Sequence, residues 1–262
     1  MVDDHSPDGE NYPQAIQSLR KRNVEYVYAP KHGGAGYARN IGLEQARGKW
    51  LVFADADDLF SPDAFTIFDK YRDSSKDIIY FRTRQVLSED LSARSSRLPV
   101  LDELFLINDE REFRLRHIFP WGKMIKADLI KTNGFTFEEV LFGNDIVFGT
   151  KIGCSADAVQ ICDELVYYLT ERKDSLTSSL DKNEVELECR LKENIKALRV
   201  ARESGYEKNN SGVAYRLEQL WWLDKAGFKR CKLFASEQGV SWPSLLIKGF
   251  AMRIKEILRG KS

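Results

Sequence analysis

Apolar and polar positions along the first half of the chain switch repeatedly between a period of two and a period near 3.6. Residues 11–22 carry helical spacing, with Pro13 in the first turn where a missing N–H costs nothing. Val24–Tyr28 alternates and predicts a strand, and Tyr37–Ala46 predicts a helix closed by Arg47-Gly48. Then Trp50-Leu51-Val52-Phe53 runs apolar into Asp55, Asp57 and Asp58 before Ser61-Pro62 breaks it. A run of that kind predicts a strand buried on both faces. Ser61 and Pro62 fit the N-cap and first position of a helix to about Tyr71, and Asp77–Phe81 predicts a strand that Arg82–Val86 can continue. Strand and helix alternate throughout, which argues for an α/β fold with a mostly parallel, Rossmann-like sheet flanked by helices.

Further on the pattern loosens. Residues 87–115 are polar and predict an irregular insertion. A short helix is expected over Ala127–Thr132 before the Asn133-Gly134 turn, and an apolar helix from Phe142-Gly143-Asn144-Asp145 to about Cys154. Val159–Cys162 and Val166–Leu169 predict two short strands. From about residue 180 strand signals disappear, so the chain divides into residues 1–180 and a helical extension, 181–262. That extension ends in an amphipathic segment, 242–261. There Leu246, Phe250, Ile254, Ile257 and Leu258 share a face, and five basic residues stand against Glu256 alone. Such a helix lies in a membrane interface or packs on its own domain with a solvated basic face.

Charge and cysteine content narrow the function classes. Forty Lys and Arg balance forty Asp and Glu, so no global field favours nucleic acid as a partner. Cys154, Cys162, Cys189 and Cys231 form no CxxC pair and predict free thiols in a reducing compartment. Three histidines are too few for a His-based metal site. Neither an apolar run of membrane-span length nor a signal peptide is evident, which predicts a cytoplasmic protein, peripheral at most on the inner face of the membrane.

Candidate chemistry concentrates at strand ends. Asp55, Asp57 and Asp58 repel one another unless a cation offsets them, and ligands of open α/β sheets bind where strands leave the sheet. Mg²⁺ takes one or two carboxylates and completes its shell with phosphate oxygens and water. The cluster therefore predicts either a metal site for a phosphorylated substrate or a plain acidic turn.

Four segments in order carry a family resemblance: Val2-Asp3-Asp4-His5-Ser6-Pro7-Asp8-Gly9, Gly36-Tyr37-Ala38-Arg39-Asn40-Ile41-Gly42 through Gly48, Phe53-Ala54-Asp55-Ala56-Asp57-Asp58, and Gly143-Asn144-Asp145. Together they resemble the family-2 glycosyltransferases of the GT-A fold, with their VDDgSxDgT, ARNxG and DxDD motifs. Trp121-Gly122-Lys123 is similar to that family's W-x-K, and Glu171 to Ser175 to its late R-x-x-S. The resemblance covers roughly residues 2–180. It implies an inverting, metal-dependent transferase of surface-polysaccharide type, with a UDP-sugar donor and a saccharide or lipid-linked acceptor. It also implies Mg²⁺ or Mn²⁺ on Asp57, with Asp55 nearer the ribose or the metal. Asp3 or Asp4 would read the base, Arg39 would reach the nucleotide or brace the acidic strand end, and Arg172 would contact the diphosphate. Asp145 would be the general base. Two departures stand out: Asn144 replaces the family's Glu, and the family's first strand and helix precede the VDD turn, so an N-terminally truncated copy is expected.

Two other readings remain. The hhhDxD pattern at Val52–Asp57 is similar to that of haloacid-dehalogenase-like phosphatases, with Asp55 as nucleophile, Asp57 as acid–base, and Lys123 and Gly143-Asn144-Asp145 in supporting roles. Leu59 departs from that pattern, and Ala38-Arg39-Asn40 has no role in it. The third reading is a glycosyltransferase-like binding module without turnover.

Overall fold

Two short strands far apart in sequence open the fold. In the computed structural model β1 (Val2–Asp3) pairs in parallel with β2 (Val27–Tyr28), in register Val2 to Val27 and Asp3 to Tyr28. The described residues are 1–6, 24–95, 99–171, 183–207 and 209–259, so the helix expected over 11–22 lies outside them. Helix α1 (Gly34–Gln45) follows, starting three residues earlier than its spacing predicts.

A second, six-stranded sheet holds the rest of the α/β part. Its members are β3 (Trp50–Leu51), β4 (Leu59–Phe60), β5 (Ile78–Leu87), β6 (Asp90–Arg94), β7 (Lys123–Lys126) and β8 (Val159–Glu171). The order is β3-β7-β5-β8-β4, with β6 on β5. Among the described strands of this sheet β5 and β8 alone run parallel; the other ladders are antiparallel. The α/β class of the fold is as expected, while the pairing within this sheet is mixed.

Three local expectations change. The Trp50 strand is not central: it stops at Leu51, lies at the end of the sheet, and leaves Val52 37% exposed. Residues 87–115 are not irregular throughout, for β6, α3 (Pro99–Leu104) and α4 (Glu110–Arg116) lie there. The Asp109 side chain caps α4 by accepting from the Arg111 and Glu112 N–H groups, a polar start signal inside a polar stretch. Finally, the two short strands expected after Ala156 are one thirteen-residue strand, β8, whose register to β5 shifts between Tyr80 and Thr83. Such shifts bend a strand without ending it.

Helices α2 (Ala64–Tyr71), α5 (Ala127–Asn133) and α6 (Asn144–Ser155) complete this part. Ser61 does not cap α2; its hydroxyl donates to the Leu165 carbonyl and ties β4 to β8. Gly134 closes α5 at φ 62°, the left-handed conformation that a glycine adopts without a Cβ clash. The core under the sheet is built from Ile78, Ile79, Tyr80, Phe81, Ile125, Phe148, Ile152, Val166 and Tyr167.

Beyond residue 183 the described elements are all helices: α7 (Glu184–Glu203), α8 (Ser211–Leu223), α9 (Lys225–Glu237) and α10 (Trp242–Arg259). They have a core of their own, centred on Leu191, Ile195, Leu217, Leu220 and Cys231. The seam with the first part runs along α6 and α7. Cys189 Sγ lies 3.4 Å from the Phe142 carbonyl, and Lys196 Nζ donates to Glu138 at 2.9 Å.

Candidate active site

The first two acids fold back on their own chain. Asp3 is buried, accepting from the Ser6 N–H at 2.8 Å and from the Tyr26 hydroxyl at 2.5 Å. Those bonds, Tyr26 first, hold its carboxyl below the usual range. Asp4 accepts from the Gly33 and Gly34 N–H groups at 2.9 and 2.7 Å, at the start of α1, where free backbone donors favour a carboxylate. The next residue, His5, has a left-handed φ of 63°, where the family pattern has a glycine. Its ring is fixed between the Ala29 carbonyl, 2.9 Å away, and the Tyr28 hydroxyl, 3.1 Å away. Asp3 and Asp4 thus order the loop that leads into α1.

One turn further along α1, Arg39 makes two contacts that span the site. Nη2 donates to Asp55 Oδ1 at 2.5 Å, and Nη1 to Asn144 Oδ1 at 2.7 Å. Its guanidinium also lies over the Phe137 ring, 5.5 Å from the centroid. Through the Asp55 contact Arg39 reaches the acidic strand end. Next to it, Asn40 pins the Phe137 backbone through both amide atoms, at 2.8 and 3.0 Å. A side chain at Gly36 would overlap the Glu138 carbonyl oxygen, so α1 sits directly against the loop before α6.

The three acids after β3 have three different environments. Asp55 is held by Arg39, and its backbone N–H donates to the Tyr167 hydroxyl. Asp57 has an exposed side chain, while its backbone carbonyl accepts from the Thr170 hydroxyl. Asp58 turns inward to the Tyr167 hydroxyl at 2.9 Å and the Thr170 N–H at 2.8 Å. Burial pushes the Asp58 carboxyl up to about 6, against the lowering effect of those bonds. Asp58 is thus a structural member of the motif, fastening the acidic turn to β8.

Tyr167 was not singled out by sequence reasoning. Its ring stacks on Trp121 (5.7 Å, 6°), which in turn stacks on Phe119 (4.5 Å, 9°). The Trp121-Gly122-Lys123 segment therefore supports the acidic turn through one tyrosine. Gly122 sits at φ 69° with Thr83 Oγ1 packed where a Cβ would be. Lys123 is fully buried, donates to the His117 carbonyl at 2.8 Å, and has its ammonium 4.8 Å from the centre of the Tyr80 ring.

Asp145 is half-buried in the first turn of α6, where the helix dipole favours a carboxylate. Burial raises its pKa, and the charges of Arg39 and Arg190 pull it back. Arg190 comes from α7, beside Gly143, and donates through Nε to the buried Glu186 at 2.8 Å. It too was missed, since nothing in a helical repeat marks one arginine among many. Arg172 lies outside the described residues.

Among the described residues no group of three or more His, Cys, Asp or Glu converges to hold a metal. The acids nonetheless fit one kind of ion. Exposed Asp57 and the second oxygen of Asp55 can supply one or two hard oxygen ligands, as a Mg²⁺ or Mn²⁺ completed by phosphate oxygens requires. They do not make an all-protein cage.

Residues 1–134 match the profile of the family described as Glycosyl transferase family 2. The chain is 28% identical over 192 residues to the succinoglycan biosynthesis protein ExoO of Rhizobium meliloti, covering 69% of this chain and 55% of that protein. It is 27% identical over 187 residues to the poly(ribitol-phosphate) beta-N-acetylglucosaminyltransferase TarS of Staphylococcus aureus, covering 68% of this chain and 31% of that one. The chain thus spans between about a third and about half the length of these curated relatives. In structure it is similar to residues 1–349 of S. aureus TarS in complex with UDP-GlcNAc. The TM-score is 0.63 at 22% identity, over 94% of this chain and 69% of that one. The mannosyltransferase PcManGT of Pyrobaculum calidifontis, in complex with GDP-Man and Mn²⁺, gives 0.51 at 17% identity, over 97% and 70%. At those identities the structural likeness establishes the GT-A fold alone. Half of the chain matching one family profile, with the ordered motifs within it, establishes that this protein belongs to glycosyl transferase family 2.

Proposed function

We propose that the chain is an inverting glycosyltransferase. It would move a sugar from a nucleotide-diphosphate donor, a UDP-sugar, to a saccharide or lipid-linked acceptor of surface polysaccharide. The observation that carries this reading is the Arg39 bridge, which joins the acidic turn at Asp55 to the start of α6 at Asn144-Asp145. A donor grip and a candidate base are thereby held in one frame, as single-displacement transfer requires.

In this mechanism Asp145 accepts the proton of the acceptor hydroxyl as that oxygen bonds to the anomeric carbon. The bond from that carbon to the diphosphate breaks, and its electron pair leaves on the diphosphate. Asp57, with Asp55, would hold a Mg²⁺ or Mn²⁺ that, when bound, neutralises negative charge on the diphosphate. Arg39 fixes one Asp55 oxygen and leaves the other for the donor side. Asp3 and Asp4 order the loop at the nucleotide end, and one of the two would contact the base through a remaining lone pair. Arg172 would contact the diphosphate. The helices described beyond residue 183 belong to the extension expected over 181–262, which would make peripheral membrane contact through 242–261.

The relatives support the substrate class. TarS is solved with UDP-GlcNAc, and PcManGT with GDP-Man and Mn²⁺. The family match and the Arg39–Asp55 pair leave the phosphatase reading without support, since an aspartyl nucleophile clamped by arginine is poorly placed to attack.

The deciding experiment is thermal-shift screening of nucleoside diphosphates with Mn²⁺ and Mg²⁺ on wild type, Asp57→Ala and Asp145→Asn. Metal-dependent stabilisation lost in Asp57→Ala and kept in Asp145→Asn is expected. Sugar transfer should fall about 10²–10⁴-fold in Asp145→Asn. Stabilisation without any transfer would instead favour the non-catalytic binding module.

A further inference from the structure

Helix α10 is covered on one side only. Leu245 is buried, Gly249 lies against the Ala214 carbonyl of α8, and Arg253 pairs with the buried Glu218. These positions, four residues apart, make the packed face. On the far side Ile247, Ile254 and Leu258 are 70, 58 and 64% exposed. Their spacing of seven and four places them in one line along the helix. Exposed Ile257 widens that line, and Phe250 joins it to Trp222 of α8, 61% exposed, with ring centres 6.2 Å apart.

One residue on from each member of the line stands a basic one: Lys248, whose ammonium donates to Asn210 Oδ1 at the start of α8, exposed Lys255 and, in sequence, Arg259. Residues 242–261 hold Lys248, Arg253, Lys255, Arg259 and Lys261 against Glu256 alone. An apolar line flanked by a cationic one, with an indole at its edge, suits the boundary between lipid headgroups and acyl chains. A second protein copy would require the same basic line to meet itself across a two-fold axis, which like charge opposes. No helix among the described residues is long and apolar enough to cross a membrane, so contact would lie in the surface plane.

We propose that α10 docks this chain on an anionic bilayer, with Ile247, Ile254, Leu258 and Trp222 inserted and Lys255 at the headgroups. The docking deepens the glycosyltransferase reading by giving its lipid-linked acceptor a surface, yet lipid binding needs no active donor site. The two therefore fail separately.

The test is flotation of the full chain with vesicles of phosphatidylcholine alone and of phosphatidylcholine with 30% phosphatidylglycerol, a composition in the range where anionic surface potential acts on basic segments. Expected are binding to the anionic vesicles, weakening as salt is raised, and at least a tenfold loss in Ile247→Asp/Ile254→Asp. Lys255→Gln/Arg259→Gln should remove most of the salt dependence. Unchanged circular dichroism would show that both variants fold, and unchanged sugar transfer to a soluble acceptor would show that they keep their site. Absence of binding to either vesicle would overturn the proposal, as would equal binding by wild type and the aspartate variant. A lipid-free dimer dispersed by Ile254→Asp would also overturn it and assign the face to a second copy.

Discussion

Arg39 Nη1 donates to Asn144 Oδ1 at 2.7 Å across 105 residues of sequence. With the Asp55 contact on its other amino group, this arginine sets the distance between the acidic turn and the helix that carries Asp145. A lysine ammonium carries three donors but lacks the planar fork whose two amino groups reach Asp55 and Asn144 on separate sides. Arg39→Lys should therefore lower kcat/KM about 10²-fold, with Asn144→Ala costing less. Because the two residues form one unit, the double variant should lose far less than the sum, a coupling of about 0.5–3 kcal/mol in a double-mutant cycle. Strict additivity in kcat/KM would show that the bridge is not what aligns the site.

Tyr167 supports the turn from beneath. Its hydroxyl lies 2.9 Å from both the Asp55 N–H and Asp58 Oδ2, and it is largely buried. Tyr167→Phe keeps the ring stack on Trp121 and removes only that oxygen. Leaving Asp58 with one donor fewer in a buried position should cost about 1–3 kcal/mol. Chemical unfolding would read the stability loss, and metal titration followed by thermal shift would read a weaker Asp57 site. If stability falls and metal-dependent nucleotide binding is untouched, Tyr167 serves the fold and not the site.

Much of this site could be read in the sequence because its parts are short and local. Asp3-Asp4, the Ala38-Arg39-Asn40 run and the Asp55-Ala56-Asp57-Asp58 turn each fall where a strand or loop meets a helix, and such places need particular residues. The elements themselves were legible where a period persisted, as in α1, α2, α6 and the final helices. What failed depends on partners that no local pattern encodes. The Trp50 run is apolar enough for a central strand but pairs only with β7 among the described strands, so Val52 is exposed. β8 looks like two strands because Asp163 and Glu164 interrupt its apolar pattern, although the segments on either side of them pair with β5 in one ladder. Tyr167 and Arg190 act through distant contacts, and a tyrosine in a strand or an arginine in a helix carries no mark of that.

Close approach makes another position testable. Gly149, in α6, has the Ile118 backbone where a Cβ would stand, and Gly153, one turn on, faces the Arg114 carbonyl. The neighbour in each case is main chain, which cannot rotate away. Gly149→Ala would gain about 1 kcal/mol in helix propensity and should still destabilise the protein, because overpacking against backbone typically costs 1–3 kcal/mol and occasionally more. Since α6 begins at Asn144-Asp145, the displaced helix should also lower kcat. Calorimetry and steady-state kinetics on the same sample would check both. A variant more stable than wild type would mean that residues 114–118 can move aside.

Lys123 gives the fold a dependence on pH with a definite sign. Burial drives its pKa down to about 7, with the Asp145 charge opposing, whereas in the unfolded chain the ordinary value is 10.5. Below pH 7 the lysine is protonated in both states, and the cost of burying the charge is fully present. Between 7 and 10.5 the unfolded chain holds the proton that the folded one has released. Stability contributed at this position therefore rises with pH through that window, by up to about 1.4 kcal/mol per unit. Lys123→Met keeps the length of the buried chain and has nothing to titrate. Whatever offset the lost bond to the His117 carbonyl introduces, its advantage over wild type should shrink steadily as pH rises. Urea unfolding of both proteins at pH 6.5, 7.5, 8.5 and 9.5, about one unit apart to resolve that slope, would measure the difference. Parallel curves would mean that Lys123 stays protonated in the fold, and that its ammonium pairs with Asp145 more strongly than burial opposes.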